Sequence, residues 1–273
     1  MDHDLIKVWR EDKLIQPPYI LKADFNIFQR SYSKIVVNDK EEYENLNQNE
    51  KKYAIHAGLL PSPFGGNLEN ADIFLLYLNP GFHPCEYEFE MSNKPFKNSL
   101  IKQIRQNNAK IDFPFISLNP DFSGHPGFAY FADNRSGILK RERSNLRHIG
   151  NYLINSKRKE FIEMDSIDIA YKYLSNRIAI LEYFPYHSKN YNHDKLARDL
   201  ESSRLIVDYA QSVLVPKAKR GKILIVCTRK ALKWNLPNHK NIIIYDKSWC
   251  QSASLSLKSP GGIAIKAFIE SRP

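Results

Sequence analysis

Ile73-Phe74-Leu75-Leu76-Tyr77-Leu78-Asn79-Pro80-Gly81 is the stretch whose reading decides the fold class. Its first six residues are apolar without alternation. That pattern suits a strand covered on both faces, the usual condition of a parallel sheet. Asn-Pro-Gly then stops the strand in a turn. Downstream, Arg177 to Glu182, Lys222 to Cys227 and Asn241 to Tyr245 repeat the apolar pattern, and helix-spaced segments lie between them. Helices are expected over 94–106, through a charged region at about 140–175, over 194–215, briefly over 228–234, and after Gly261-Gly262. Strands alternating with helices imply an α/β fold, a three-layer α/β/α sandwich around a mostly parallel central sheet. In such sheets ligands bind beyond the carboxyl ends of the strands.

Residues 1–52 read as an N-terminal extension packed on the domain, mixed and aromatic-rich to about 35 and strongly charged over 40–52. Residues 53–273 read as one domain, with Pro61-Ser62-Pro63-Phe64-Gly65-Gly66 punctuating the chain before its first clear strand. No stretch approaches the roughly 20 apolar residues of a membrane span. Met1-Asp2-His3-Asp4 lacks the basic-then-apolar layout of a signal peptide, and Cys85, Cys227 and Cys250 stand far apart with no CxxC pair. A cytoplasmic monomer with no membrane partner, no structural metal and no cofactor is expected. Forty Lys and Arg against thirty Asp and Glu leave a net charge of +10. Basic surface gains affinity for polyanions by releasing counterions, so nucleic acid is a candidate partner, although charge alone fits a merely basic protein equally well.

Four patches, in order from Pro61 onward, resemble the uracil-DNA glycosylase superfamily. Leu78-Asn79-Pro80-Gly81-Phe82, at the end of a buried strand, is similar to the water-positioning motif of the mismatch-specific uracil/thymine glycosylases. Phe115-Ile116-Ser117 is similar to the segment whose Phe stacks on the extruded base, and Ile180-Leu181-Glu182 places Glu182 where the family carries its base-edge reader. The loop from Gln251 to Gly262 matches the position of the DNA-wedging loop, and Phe184-Pro185-Tyr186-His187-Ser188 looks like a strand-end segment of bacterial members. Alone, Asn-Pro-Gly is more often a plain β-turn. The last loop departs from the family, since it lacks the His-Pro-Ser-Pro wording and offers only Gln251, Ser252 and Ser254 as polar groups. The residue that stabilises the leaving base is therefore left open between His187 and His83 as substitutes; each is also readable as a surface or packing histidine, His83 at least as readily.

The resemblance implies a monofunctional DNA glycosylase that flips a base, hydrolyses its N-glycosidic bond and leaves an abasic site. Asn79 would hold the attacking water by its side-chain carbonyl, and Gly81, Phe82 and Phe115 would line the base site; Phe115 is equally readable as a core residue. An amide is no strong base, so catalysis would rest on orientation and electrostatics. The anomaly is Glu182, where uracil readers carry Asn. A carboxylate repels a uracil O4 but accepts from a cytosine N4 amine, and if protonated it also donates to N3. A 5-modified cytosine, hydroxymethylated or glucosylated as in phage DNA, is the expected substrate and antiviral defence the expected use. Uracil repair and a non-catalytic DNA-binding module are the alternatives. Glu182 paired to a Lys or Arg as a structural carboxylate is the plain reading. Lys140, Arg141 and Arg143 would track phosphates, and so would Arg147, 157–159 or 217–220, though each cluster is also readable as a solvated helix face. Ser252, Ser254 and Leu255 (or Leu257) would contact DNA from the last loop, the leucine as wedge.

Overall fold

The computed structural model describes residues 3–31, 35–107, 111–140, 145–156 and 158–272. The fold is α/β with a mostly parallel central sheet. Seven strands occur among the described residues: β1 (Val36–Val37), β2 (Ile55–His56), β3 (Phe64–Gly65), β4 (Ile73–Tyr77), β5 (Ile178–Glu182), β6 (Leu224–Cys227) and β7 (Ile242–Ile244). β1 and β2 form a parallel pair, and the others make one sheet in the order β3-β5-β4-β6-β7. Ile73 pairs with Leu224 and Leu76 with Cys227, while Ile225 pairs with Ile242, all in parallel. Every residue of β4, β5 and β6 is buried, which explains why these strands read as unbroken apolar runs. β7, at the edge, buries only Ile242.

From β4 the chain passes to β5 on one side and then to β6 on the other. The winding therefore reverses at β4, and such a reversal marks the usual ligand-binding end of an open sheet. The turn leaving that strand carries Asn79.

The chain divides into two compact units, the first of residues 1–64, 77–107 and 181–213, the second of residues 65–76, 108–180 and 214–273. In the first, Asp24 is fully buried and ties distant segments together. The Tyr186 hydroxyl donates to its Oδ2 at 2.7 Å and the Ser202 N–H to its Oδ1 at 3.1 Å. Helix Gln48–Tyr53 starts in a capping box between Asn47 and Glu50, and helix Lys94–Ile104 is capped by Asn93 with Pro95 in its first turn. The second unit carries most of the five-stranded sheet with helices Arg147–Ile154, Ile167–Arg177 and Pro260–Glu270. Ser166 and Ser259 cap the last two of these helices. Arg177 pairs with Asp72 at 2.5 Å.

Several expected elements come out differently. The charged region at 140–175 is not one helix, because the chain breaks between Ile154 and Ser166 and restarts at the Ser166 cap. The 194–215 segment is divided into helices Asp194–Asp199 and Glu201–Tyr209 followed by a π turn at Ala210–Leu214. The basic stretch after β6 holds one 3₁₀ turn, Ala231–Lys233, preceded by Lys230 at φ 50°. No helix among the described residues is long and apolar enough to cross a membrane.

Candidate active site

The first unit contains Asn79, Gly81, Phe82, Glu182 and His187. Its hydrogen bonds and ion pair join Asn79, Gly81 and His187 through Ser188 and add Leu60 and Glu86, which the sequence did not single out. Beyond β4 and β5 the two chains stay paired: the Tyr183 N–H donates to the Tyr77 carbonyl at 3.1 Å and the Phe184 N–H to the Leu78 carbonyl at 2.8 Å. This run delivers His187 and Ser188 to the Asn79 turn. The Asn79 Nδ2 donates to the Ser188 carbonyl at 2.9 Å, to the Ser188 Oγ at 3.1 Å and to the Pro80 carbonyl at 3.0 Å. With the amide nitrogen committed to Ser188, the carbonyl Oδ1 of this half-buried side chain is left without an acceptor bond among the described residues. It is the end of the amide that could hold a water. A Cβ built on exposed Gly81 would meet nothing within 4 Å, so space is open over the turn.

Phe82 stacks on His56 with ring centroids 3.4 Å apart and meets Tyr43 and Tyr87 edge-on. Its ring is thus committed to an aromatic cluster. Burial and the neighbouring charge of His187 push His56 down to about 2, leaving it neutral, with Nδ1 facing the Tyr87 hydroxyl at 3.0 Å.

His187 is 6% exposed. Its Nδ1 faces the Gly81 carbonyl at 3.0 Å and its Nε2 the Leu60 carbonyl at 3.1 Å. Glu86 Oε2 lies 3.2 Å from Nδ1, but the N–H direction belongs to the Gly81 carbonyl, so the carboxylate acts as a neighbouring charge. Glu90, one helical turn on, accepts from the Leu60 N–H at 3.3 Å, and burial pushes its carboxyl up to about 7. Both glutamates belong to helix Cys85–Ser92, whose Glu86, Tyr87 and Glu90 turn inward while Glu88 is exposed and pairs with Lys40. Nothing local in Cys-Glu-Tyr-Glu-Phe-Glu tells which side turns inward; the i, i+4 spacing of Glu86 and Glu90, which sets both on one helix face, is the one signal it carries.

Glu182 ends β5 at 4% exposure, its N–H donating to the Pro63 carbonyl at 3.0 Å. Its Oε2 is buried without a hydrogen-bond partner, and burial alone raises its carboxyl well above the ordinary value. No Lys or Arg among the described residues forms an ion pair with it. His83 is turned to its own helix start, its Nδ1 3.0 Å from Cys85 Sγ.

The remaining expected residues belong to the second unit. Phe115 is 1% exposed, its ring edge-on to Phe131 and its backbone bonded both ways to the Ser175 hydroxyl. A Cβ on Gly65 would come within 2.9 Å of that ring, so glycine there permits the packing. Leu255 is fully buried, whereas Leu257 is the partly exposed leucine of the same loop. Ser252 is exposed and donates to the Trp249 carbonyl, and Ser254 accepts from the Ser256 N–H at 3.0 Å. Tyr245 fastens this loop by donating to the Ser254 carbonyl at 2.5 Å and accepting from the Gly261 N–H at 3.0 Å. Lys140 is exposed, while Arg141 and Arg143 lie outside the described residues.

No family model matches the chain, and neither the curated proteins nor the solved structures give a match to it. Among the described residues no three His, Cys, Asp or Glu side chains assemble as a metal site.

Proposed function

We propose that the protein is a monofunctional DNA glycosylase on a three-layer, uracil-DNA glycosylase-like scaffold. It hydrolyses the N-glycosidic bond of a flipped 5-modified cytosine, hydroxymethylated or glucosylated, and leaves an abasic site. The observation that carries the reading is the tethering of Asn79. Its amide nitrogen is bound to Ser188, so its carbonyl oxygen is the free end, on the turn that leaves the strand where the sheet reverses its winding. A water held there is oriented for attack on a sugar carbon that gains positive charge as the base departs. The net charge of +10 suits a DNA partner, with Lys140, Arg141 and Arg143 along the phosphates and Ser252, Ser254 and the exposed Leu257, in place of the buried Leu255, as the DNA contacts of the last loop. Restriction of modified phage DNA by a cytoplasmic monomer is the use we assign.

Glu182 supports the choice of base. A buried carboxyl with no cation paired to it among the described residues is costly as pure structure, and its open acceptor suits an exocyclic amine. The same observation keeps uracil as a second reading. In its neutral form a carboxyl both donates and accepts, as the amide of a uracil reader does. Matched oligonucleotides carrying uracil, 5-hydroxymethylcytosine or its glucosylated form separate the two when the released bases are identified by mass spectrometry. The expected result is release of the modified cytosine in the presence of EDTA, with strand breakage only after hot alkali. Release of uracil alone would move the protein to repair, and prompt strand cleavage or dependence on added magnesium would end the glycosylase reading.

A further inference from the structure

His187 is enclosed by acceptors. The oxygens facing its two ring nitrogens, those of Gly81 at 3.0 Å and Leu60 at 3.1 Å, are backbone carbonyls, which only accept. A neutral imidazole carries one N–H and would set its other nitrogen lone pair against an oxygen; the imidazolium satisfies both. We propose that His187 is a positioning residue that works as a standing imidazolium, anchored by Glu86, gripping the carbonyls of Gly81 and Leu60 and so holding the Asn79–Gly81 turn with the Asn79 carbonyl presented. The proposal rests on the reading of Asn79 as the water holder. It removes His187 from proton transfer to the leaving base, because both of its protons are committed to the backbone.

The surroundings fit a buried cation. Helix Cys85–Ser92 supplies Glu86 at 3.2 Å from Nδ1, Glu90 through the Leu60 backbone, and the Tyr87 hydroxyl, which goes to His56. From β2 comes His56, held neutral, and the next helix contributes Lys97, whose charge acts on Glu90. Burial opposes the charge on His187, but Glu86, Glu90 and the Gly81 carbonyl outweigh it and keep the ring above its ordinary value. The neighbouring Ser188 completes the grip: its N–H points to the Pro80 carbonyl at 3.4 Å, and its carbonyl and hydroxyl take the Asn79 amide.

The test is nitrogen NMR of the histidine rings in the full chain, with His187 assigned by the signal that disappears in His187→Gln. At pH 7.5 both ring nitrogens of His187 should show the protonated signature, and Glu86→Gln should lower the titration midpoint. In single-turnover base release, read well below the melting temperature of the variant, Glu86→Gln should be slower by roughly 100-fold, the scale of a displaced catalytic geometry, with DNA affinity close to wild type. Its melting should be lowered, because the buried imidazolium loses its neighbouring charge. One unprotonated ring nitrogen in the wild type at pH 7.5 would overturn the standing charge. A protonated ring whose loss in Glu86→Gln leaves turnover unchanged would overturn the positioning role. If the wild type releases no base from any DNA, the glycosylase reading falls, while the ring signature still decides whether the clamp exists.

Discussion

Replacing Glu182 by Met should make the protein more stable and less active, and the gain should grow with pH. Met has similar length and no polar group in need of a partner, so it suits the space while removing the buried Oε2 that has no hydrogen-bond partner among the described residues. An unsatisfied buried polar atom costs about 1–3 kcal/mol. A chain of this size shifts its melting temperature by about 2–4 °C per kcal/mol. The pH dependence follows from the direction of the titration. Burial raises the folded-state carboxyl above its ordinary value of 4.5, so its contribution to stability is whole below that value and is lost as pH rises through the folded-state value. The difference between Glu182→Met and wild type should therefore be smallest near pH 4.5 and widen above it. Urea unfolding at several pH values, compared at equal m-values, measures it. Other titrating groups act equally in both proteins and cancel. A variant less stable than wild type throughout, or a difference that does not change with pH, would show that Glu182 is a satisfied structural carboxyl. Its part in the reading of the base would then lose its physical ground.

Asn79→Ala should lower single-turnover base release by about 10²–10³-fold, roughly 3–4 kcal/mol, while DNA binding holds; normal turnover would return Asn-Pro-Gly to a plain turn. Glu90→Gln should match wild type in urea unfolding near pH 4.5 and exceed it by about 3 kcal/mol at pH 8, less the support Glu90 gives the His187 charge, because the folded carboxyl titrates at about 7 instead of 4.5. A gap unchanged between those pH values would refute the burial argument. Neutralising Lys140, Arg141 and Arg143 together should weaken DNA binding and flatten its dependence on salt by about 0.9 in logarithmic slope for each phosphate that no longer meets a cation; an unchanged slope makes them a solvated face.

What was legible in the sequence follows from where a residue's environment is set. β4, β5 and β6 could be read because burial on both faces leaves an apolar run that local inspection detects. β1, β2 and β3 could not, since two residues carry no period, and β3 is marked only by a Pro-rich approach and by Gly65, which makes room for Phe115. Asn79 and Glu182 stood out as polar residues closing apolar strands, the one local sign that a strand end holds more than packing. Glu86 and Glu90 gave no such sign, because which face of Cys85–Ser92 turns inward depends on His187, Leu60 and Gly81, brought together from three separate parts of the chain. The same holds for the orientation of the Asn79 amide. Its sequence neighbours allow either end to point outward, and it is Ser188 that takes the nitrogen and frees the oxygen. A motif can name the amide, but the long-range partner determines which of its atoms meets the substrate, so a variant that removes the partner should disable the motif without touching it.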